Sequence, residues 1–236
     1  MGWVLEGENE IVGYLGNVPL LYHFNGGLLR AAAARGFAVD TSARSHSLRH
    51  VAAHFSQTGA DLFLNTSANA AAASVWGLCK AHTIPQSQYD KVLVWVLNER
   101  AFVESYLRKI GKAPWLASLG GYFLAPLAAA EGLVRRRAPK SRSQGSTVSS
   151  LNPERINDEF DALWASVLRA HPDRLLADRS AAALRWHFSR CSAVERRAKV
   201  LTVNRNGVLA GYAVVTREDS ERLGLKRLRV SDLLAK

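Results

Sequence analysis

The chain has 236 residues and a mass of 25.8 kDa, enough for one large domain or two compact ones at roughly 100–200 residues each. With 48% hydrophobic and 22% charged residues and a mean hydropathy of -0.07, its composition excludes wholesale disorder and a polytopic membrane protein. The net charge of +11 excludes little by itself, because its distribution decides what it can bind.

From the N-terminus, GWVLEGENEIVGYLGNVPLLYHF predicts two strands around a polar turn at Gly7–Glu10. After Gly26-Gly27, LLRAAAARGFAVD predicts a third strand that runs into the polar stretch DTSARSHS. LRHVAAHFSQTG places Leu48, Val51, Ala52 and Phe55 on one helical face, and Gly59 suits the stop. ADLFLN predicts a short buried strand, NTSANAAAASVWGLCKAH a helix capped by Thr66, Ser67 or Asn69, and KVLVWVLN after Pro85 another strand. Strands alternating with helices argue for a mixed α/β domain.

Residues 113–134 carry one charge, Glu131, and three arginines follow at once. Either a helix lies against anionic lipid, or a packed connector is interrupted by Gly120-Gly121 and Pro126; the interruptions and Glu131 favour the connector. APKSRSQGSTVSS then reads as a flexible linker exposed over 138–150. Beyond it, Ile156, Phe160, Leu163, Trp164 and Val167 recur at helical spacing, with Asn152 as cap and Pro153 at the first helical position. RSAAALRWHF predicts a second helix, KVLTVNRNGVLAGYAVVTRED a hairpin turning at Asn206-Gly207, and LKRLRVSDLLA a last strand.

The charge excess is local. Residues 1–134 hold ten Lys/Arg and nine Asp/Glu, 135–148 hold five and none, and 149–236 hold sixteen and eleven. Without a phosphate-tracking module, nucleic acid is not an expected partner, whereas an acidic substrate or cofactor stays open. The two cysteines, Cys79 and Cys191, exclude a disulfide framework and a four-cysteine zinc site, so no metal is expected and free thiols suit a reducing cytoplasm. MGWVLEGENE lacks the order of a secretory signal, and a cytoplasmic location is expected.

The two halves share a unit: ENEIVGYLG near the start matches NGVLAGYAV near the end, pairing Gly13-Tyr14 with Gly211-Tyr212, and the following strand ends in acid at Val39-Asp40 and at Val230-Ser231-Asp232. Together with FAVD, TSARSHSL, NTSANAAAASVW and RWHF…VLAGYAVV…VSDL, these segments resemble the GNAT superfamily of acyl-CoA-dependent N-acyltransferases. The resemblance covers most of the chain as two partial copies. It implies an α/β (α+β, mixed-sheet) fold with a first unit over 1–112, a connector helix and basic linker over 113–150, and a second, C-terminally incomplete unit over 151–236. It further implies a sheet splayed between the strand ending at Val39 and ADLFLN, where the family holds its cofactor.

A diphosphate needs convergent backbone N–H groups at a helix start. Arg44, Ser45, His46, Ser47 and Leu48 lie between the strand end Val39 and a helix, where the resemblance implies the acyl-CoA loop, with serines at positions where the family has glycines. The alternative is a polar helix cap. By the same resemblance Asn65 and Asn69 touch cofactor; otherwise they end the strand and cap the helix. Transfer also needs a base and often an acid. Trp76 stands where the family often has a tyrosine acid, no carboxylate lies on AAAARGFAV, and His23, His46 and His54 are nearby imidazoles, each alternatively a surface or packed residue. The catalytic residues stay unassigned. Cys79 is an acyl-carrying thiol or a buried apolar one. The expected activity is transfer of an acyl group, from acetyl-CoA or another acyl-CoA, to a small-molecule or peptide amine; the alternative is an inactive GNAT-like binding or assembly module. Membrane-surface association is compatible with either.

Overall fold

The computed structural model describes residues 2–66, 68–84, 94–111, 145–189 and 198–236, and in addition residues 113, 115, 116, 118, 119, 121 and 122. The chain divides into two compact units, Met1–Tyr89 with Ser166–Asp178, and Asp90–Ala165 with Arg179–Lys236. Both are mixed α/β.

In the first unit, β1 (Gly2–Glu6), β2 (Ile11–Phe24) and β3 (Gly27–Val39) form an antiparallel meander, as the sequence predicts. The β2–β3 turn is made by Asn25 and Gly26 at φ 49° and 75°, the left-handed pair that matches strand twist. After α1 (Ser47–Phe55), β4 (Leu62–Asn65) returns parallel to β3. Asp61 sets that register, since its carboxylate accepts the Arg30 N–H at 2.8 Å while its own N–H donates to the Arg30 carbonyl. Helix α2 (Ala70–Leu78) follows, and β6 (Leu176–Ala177) pairs with the far end of β2. Leu15, Ala34, Val51 and Trp76 form the core, with Trp3, Phe37, Phe55 and Cys79 packed against it. Ala31–Ala34 are all buried, which explains a strand built of alanine: small side chains suit the faces of a sheet strand packed from both sides.

The second unit holds α3 (Glu99–Lys109), β5 (Ser146–Leu151), α4 (Asp158–Ala170), α5 (Ala181–Phe188) and the hairpin β7 (Ala198–Arg205) and β8 (Val208–Arg217), completed by β9 (Leu228–Ala235). The strands form one antiparallel sheet in the order β5-β7-β8-β9. Its core joins Ile156, Phe160 and Leu163 to Ala181, Leu184, Val200, Leu209, Tyr212 and Val214.

Four expectations need correction. The linker expected over 138–150 lies outside the described residues as far as 144, but Ser146–Leu151 is an edge strand paired with β7 from Ser146↔Arg205 to Leu151↔Val200. Its side chains bury little; backbone pairing and the 2.7 Å Ser149–Thr202 hydroxyl contact hold it. The α4 helix starts at Asp158, with Asn157 Oδ1 accepting from the Glu159 N–H, while Asn152-Pro153 opens a separate 3-10 turn. The β3–β4 splay is absent over β4, which pairs along its whole length from Ala31↔Leu62 to Ala34↔Asn65; β3 simply continues to Val39 without it. Of the KVLVWVLN strand, 91–93 fall outside the described residues, and Val94–Asn98 form no strand. The connector expected over 113–134 lies outside them from 123, and 115–116, 118–119 and 121–122 are helical. No helix among the described residues is long and apolar enough to cross a membrane.

Phe160 is 2% exposed at the centre of the second core. Its replacement by alanine removes a buried ring and leaves a cavity, so Phe160→Ala is expected to lower unfolding free energy by about 3–5 kcal/mol, read as a shifted urea midpoint.

Candidate functional site

The segment implied as the cofactor loop begins where β3 ends. Val39 pairs with Gly13, and the Asp40 N–H donates to the Val12 carbonyl at 2.7 Å, extending the sheet by one bond. Asp40 then caps a 3-10 turn over Thr41–His46, its carboxylate accepting from the Ser42 N–H at 2.9 Å and the Ser42 hydroxyl at 2.8 Å. The Ser42 amide, then its hydroxyl, hold the Asp40 carboxyl below its ordinary range. Ala43 is buried and anchors the turn, so Arg44, Ser45 and His46 face solvent. The Ser47 N–H and hydroxyl both donate to the Arg44 carbonyl, the hydroxyl at 2.7 Å, and α1 continues directly. Loop and helix are thus one helical run, in which the Ala43 and Ser47 amides are bonded inward rather than turned to an external anion.

The predicted residues fall into two groups. Val39 and Arg44–Leu48 are contiguous at the carboxyl end of β3. Asn65 ends β4 level with Ala34, five residues back along β3, or about 16 Å of strand. Asn69 caps α2, its Oδ1 accepting the Ala72 N–H at 2.9 Å. Between the groups, β3 from Arg35 to Val39 has no strand partner on the β4 side among the described residues, and Gly36, at φ 71°, marks a bulge there.

Beneath the loop, α1 turns His50, Val51 and His54 inward, whereas Leu48 and Ala52 are exposed. The buried face is therefore rotated from the one the apolar residues suggest. His54 is fully buried, its ring edge-to-face with those of Trp3, Phe55, Phe63 and Trp76 at centroid distances of 5.2–5.9 Å. The Asn17 amide donates to Gln57 Oε1 at 2.6 Å, and Gln57 Nε2 donates to the His54 carbonyl at 2.7 Å and faces Nδ1 at 3.3 Å. Because Gln57 presents donors there, the tautomer that fits carries its proton on Nε2, which has no hydrogen-bond partner among the described residues. His50 packs over Gly13, where a methyl group would come within 3.0 Å of its Nε2. Burial lowers the pKa of both imidazoles. His54 has no surface to offer an amine, and Trp76 is equally enclosed. Of the three histidines considered, His46 is the one exposed within the loop, while His23 lies 3.7 Å from Asp178. Cys79 closes α2 and packs, half-buried, against the core.

The second unit gathers a constellation that the sequence signals only through its Gly-Tyr echo. Tyr212 is buried and donates to Asp232 Oδ2 at 2.8 Å, and Arg179 Nε bonds both Asp232 oxygens at 3.0 and 3.2 Å. Burial, then the Asp232 charge, push the Tyr212 phenol well up. The register makes the echo structural: Gly13↔Leu5 and Ile11↔Glu6 skip one residue as Gly211↔Val203 and Leu209↔Asn204 do. Val39 and Ala235 face the two glycines, so Val39 corresponds to Ala235, not Val230; counting back from these puts Asp232 level with Gly36, while pairing through the bulge puts it level with Arg35. Among the described residues, no group of three or more His, Cys, Asp or Glu could hold a metal. No protein-family model matches the chain, and no curated protein matches it.

The pH response of His54 follows in sign from its burial. The unfolded chain binds a proton near the ordinary 6.5, whereas the folded site resists it, so stability is full above that value and falls as pH drops below it. A urea midpoint lower at pH 5 than at pH 7.5 is expected, with a shallower dependence in His54→Phe, which keeps the ring packing and removes the titrating nitrogen.

Proposed function

We propose that the first unit is an acyl-CoA-dependent N-acyltransferase that moves an acyl group, with acetyl-CoA as the first donor to test, to a small-molecule or peptide amine. The observation that carries this reading is the overhang of β3. From Arg35 to Val39 its backbone has no strand partner on the β4 side among the described residues, next to a solvent-facing Arg44, Ser45 and His46. An extended amide-bearing ligand such as a pantetheine arm can add to such an edge as a strand would, and a strand N–H there can polarise a thioester carbonyl. The neutral amine then attacks the carbonyl carbon, the C–S bond breaks, and CoA leaves as thiolate while the amine loses its proton to solvent. Arg44 supplies a charge-assisted contact to the diphosphate.

One observation favours a second reading, an inactive GNAT-like binding or assembly module: the Ser47 amide and hydroxyl are both spent on the Arg44 carbonyl. Diphosphate must compete with those bonds.

Titration calorimetry separates the two. Under the first reading acetyl-CoA binds and Arg44→Ala weakens binding by about 1.5–3 kcal/mol, tenfold or more. Ser47→Gly, which removes the hydroxyl's bond to the Arg44 carbonyl while keeping the amide's and allows closer approach, is expected to preserve or tighten it. Absence of binding by a folded chain leaves the module reading; binding indifferent to Arg44→Ala moves the site to another loop.

A further inference from the structure

Helix α1 is held to its sheet by a stripe made largely of imidazole. Of its nine residues, His50, Val51 and His54 are the buried ones, with Phe55 packed partly into the same core. His50 and His54 are 5% and 0% exposed and stand at i and i+4, so both rings lie on the face that docks. The Nε2 of each has no hydrogen-bond partner among the described residues. The turn over 41–46 that leads into α1 is anchored by a single buried residue, Ala43. The sheet beneath is held differently: β2 pairs with β3 through the backbone from Gly13↔Val39 to Phe24↔Gly27, and that pairing uses nothing from α1.

What surrounds the two rings decides how they answer a proton. Around His54 the aromatic edges come from Trp3 of β1, Phe63 of β4, Trp76 of α2 and Phe55 of α1 itself, and the polar neighbours are the neutral amides of Gln57 and Asn17. His50 lies over Gly13 of β2, a position bordered by Leu5 of β1 and Val39 of β3. Among the described residues, the one other titratable group packed against this core is the Cys79 thiol at the end of α2. The charged groups of the same elements lie elsewhere: Glu6 and Arg35 are exposed, the Asp61 carboxylate accepts the Arg30 N–H, Asp40 is bonded to Ser42, and Arg44, His46 and Arg49 are exposed on the turn and on α1. Burial is the one influence on both imidazoles, and it keeps them neutral at pH 7. A proton on either ring puts a cation among aromatic and aliphatic groups with no carboxylate to receive it, and the cation regains its solvation by leaving. We propose that His50 and His54 make α1 an acid-released helix: when both rings take up protons, α1 and the turn over 41–46 leave a β1–β2–β3 meander that stays paired. The proposal concerns the opening of one element and is independent of the transferase reading.

Amide hydrogen exchange of the full chain between pH 7.5 and pH 5, expressed as protection relative to the intrinsic rate, tests it. Below the ordinary imidazole value of 6.5 the opened helix binds protons that the docked helix resists, so opening gains up to about tenfold per pH unit for one buried ring and about a hundredfold for two. The amides of 51–56 are expected to lose protection with the two-proton slope, while the β2–β3 ladder keeps its own. His50→Gln and His54→Phe each remove one titrating ring and are expected to halve the slope; together they are expected to flatten it. If the double variant fails to fold, the single variants and the slope of the parent still decide. Loss of ladder and α1 protection in step overturns the proposal in favour of global acid unfolding, as does α1 protection unchanged down to pH 5. A full slope retained in both single variants assigns the protons to other groups and equally overturns it.

Discussion

Strand β2 is the member on which the first unit depends. Over its fourteen residues it pairs with β3 along nearly its whole length, with β1 along its first half and with β6 at its far end. Such triple use demands close backbone approach, and Gly13 and Gly16 allow it: a methyl at Gly16 would strike the Arg35 carbonyl and the Tyr14 hydroxyl, and one at Gly13 would press on His50 and Leu5. The bulge opposite Leu15, where Gly36 takes φ 71°, lies two residues beyond Ala34, the last residue of β3 that pairs with β4. Among the described residues, the edge of β3 is open beyond Ala34 because β4 ends at Asn65, and the bulge lies within that stretch.

What the sequence makes legible is whatever rests on local chemistry. The Asn206-Gly207 turn, the Asn69 cap and the alanine strand can be read because a dipeptide, a capping oxygen or a run between glycines is sufficient signal. The elements that escape reading are held by partners distant in sequence. Strand β5 has no buried face to create a period, so STVSSL looks like linker until β7 supplies its hydrogen bonds. The face of α1 is misjudged because His50 and His54 occupy core positions that apolarity would assign to Leu48 and Ala52. An imidazole can sit there only because aromatic edges and a Gln57–Asn17 relay receive it, and no spacing rule along α1 announces those neighbours.

The repeated unit shows how far sequence likeness and chemical likeness separate. Both Gly-Tyr pairs sit after the same one-residue bulge, yet Tyr212 is buried against Asp232 while Tyr14 is 46% exposed and packs its ring over Gly36. Counted back from Val39 and Ala235, Gly36 stands where the second unit has Asp232. In the second unit Asp232 receives Tyr212 and Arg179, tying the approach to α5 onto β9; removing the carboxylate there would strand a buried hydroxyl. In the first unit Gly36 stands three residues before Val39, the Tyr14 ring lies against it, and both β3 and β9 bulge at this point.

The loop after β3 raises the same question of competing bonds at smaller scale. Serines in place of glycine remove access to left-handed conformations, and here they also fold back on the chain: Ser42 onto Asp40 and Ser47 onto the Arg44 carbonyl. The Ser47 bond to the Arg44 carbonyl joins neutral groups and is weaker than a charge-assisted phosphate contact. On the proposed reading, a diphosphate would have to open the closed 3-10 turn before it gained from Arg44. On that reading the hydroxyls of Ser42 and Ser47, bonded to Asp40 and to the Arg44 carbonyl, would act against Arg44 in setting whether the turn stays closed or opens to an anion.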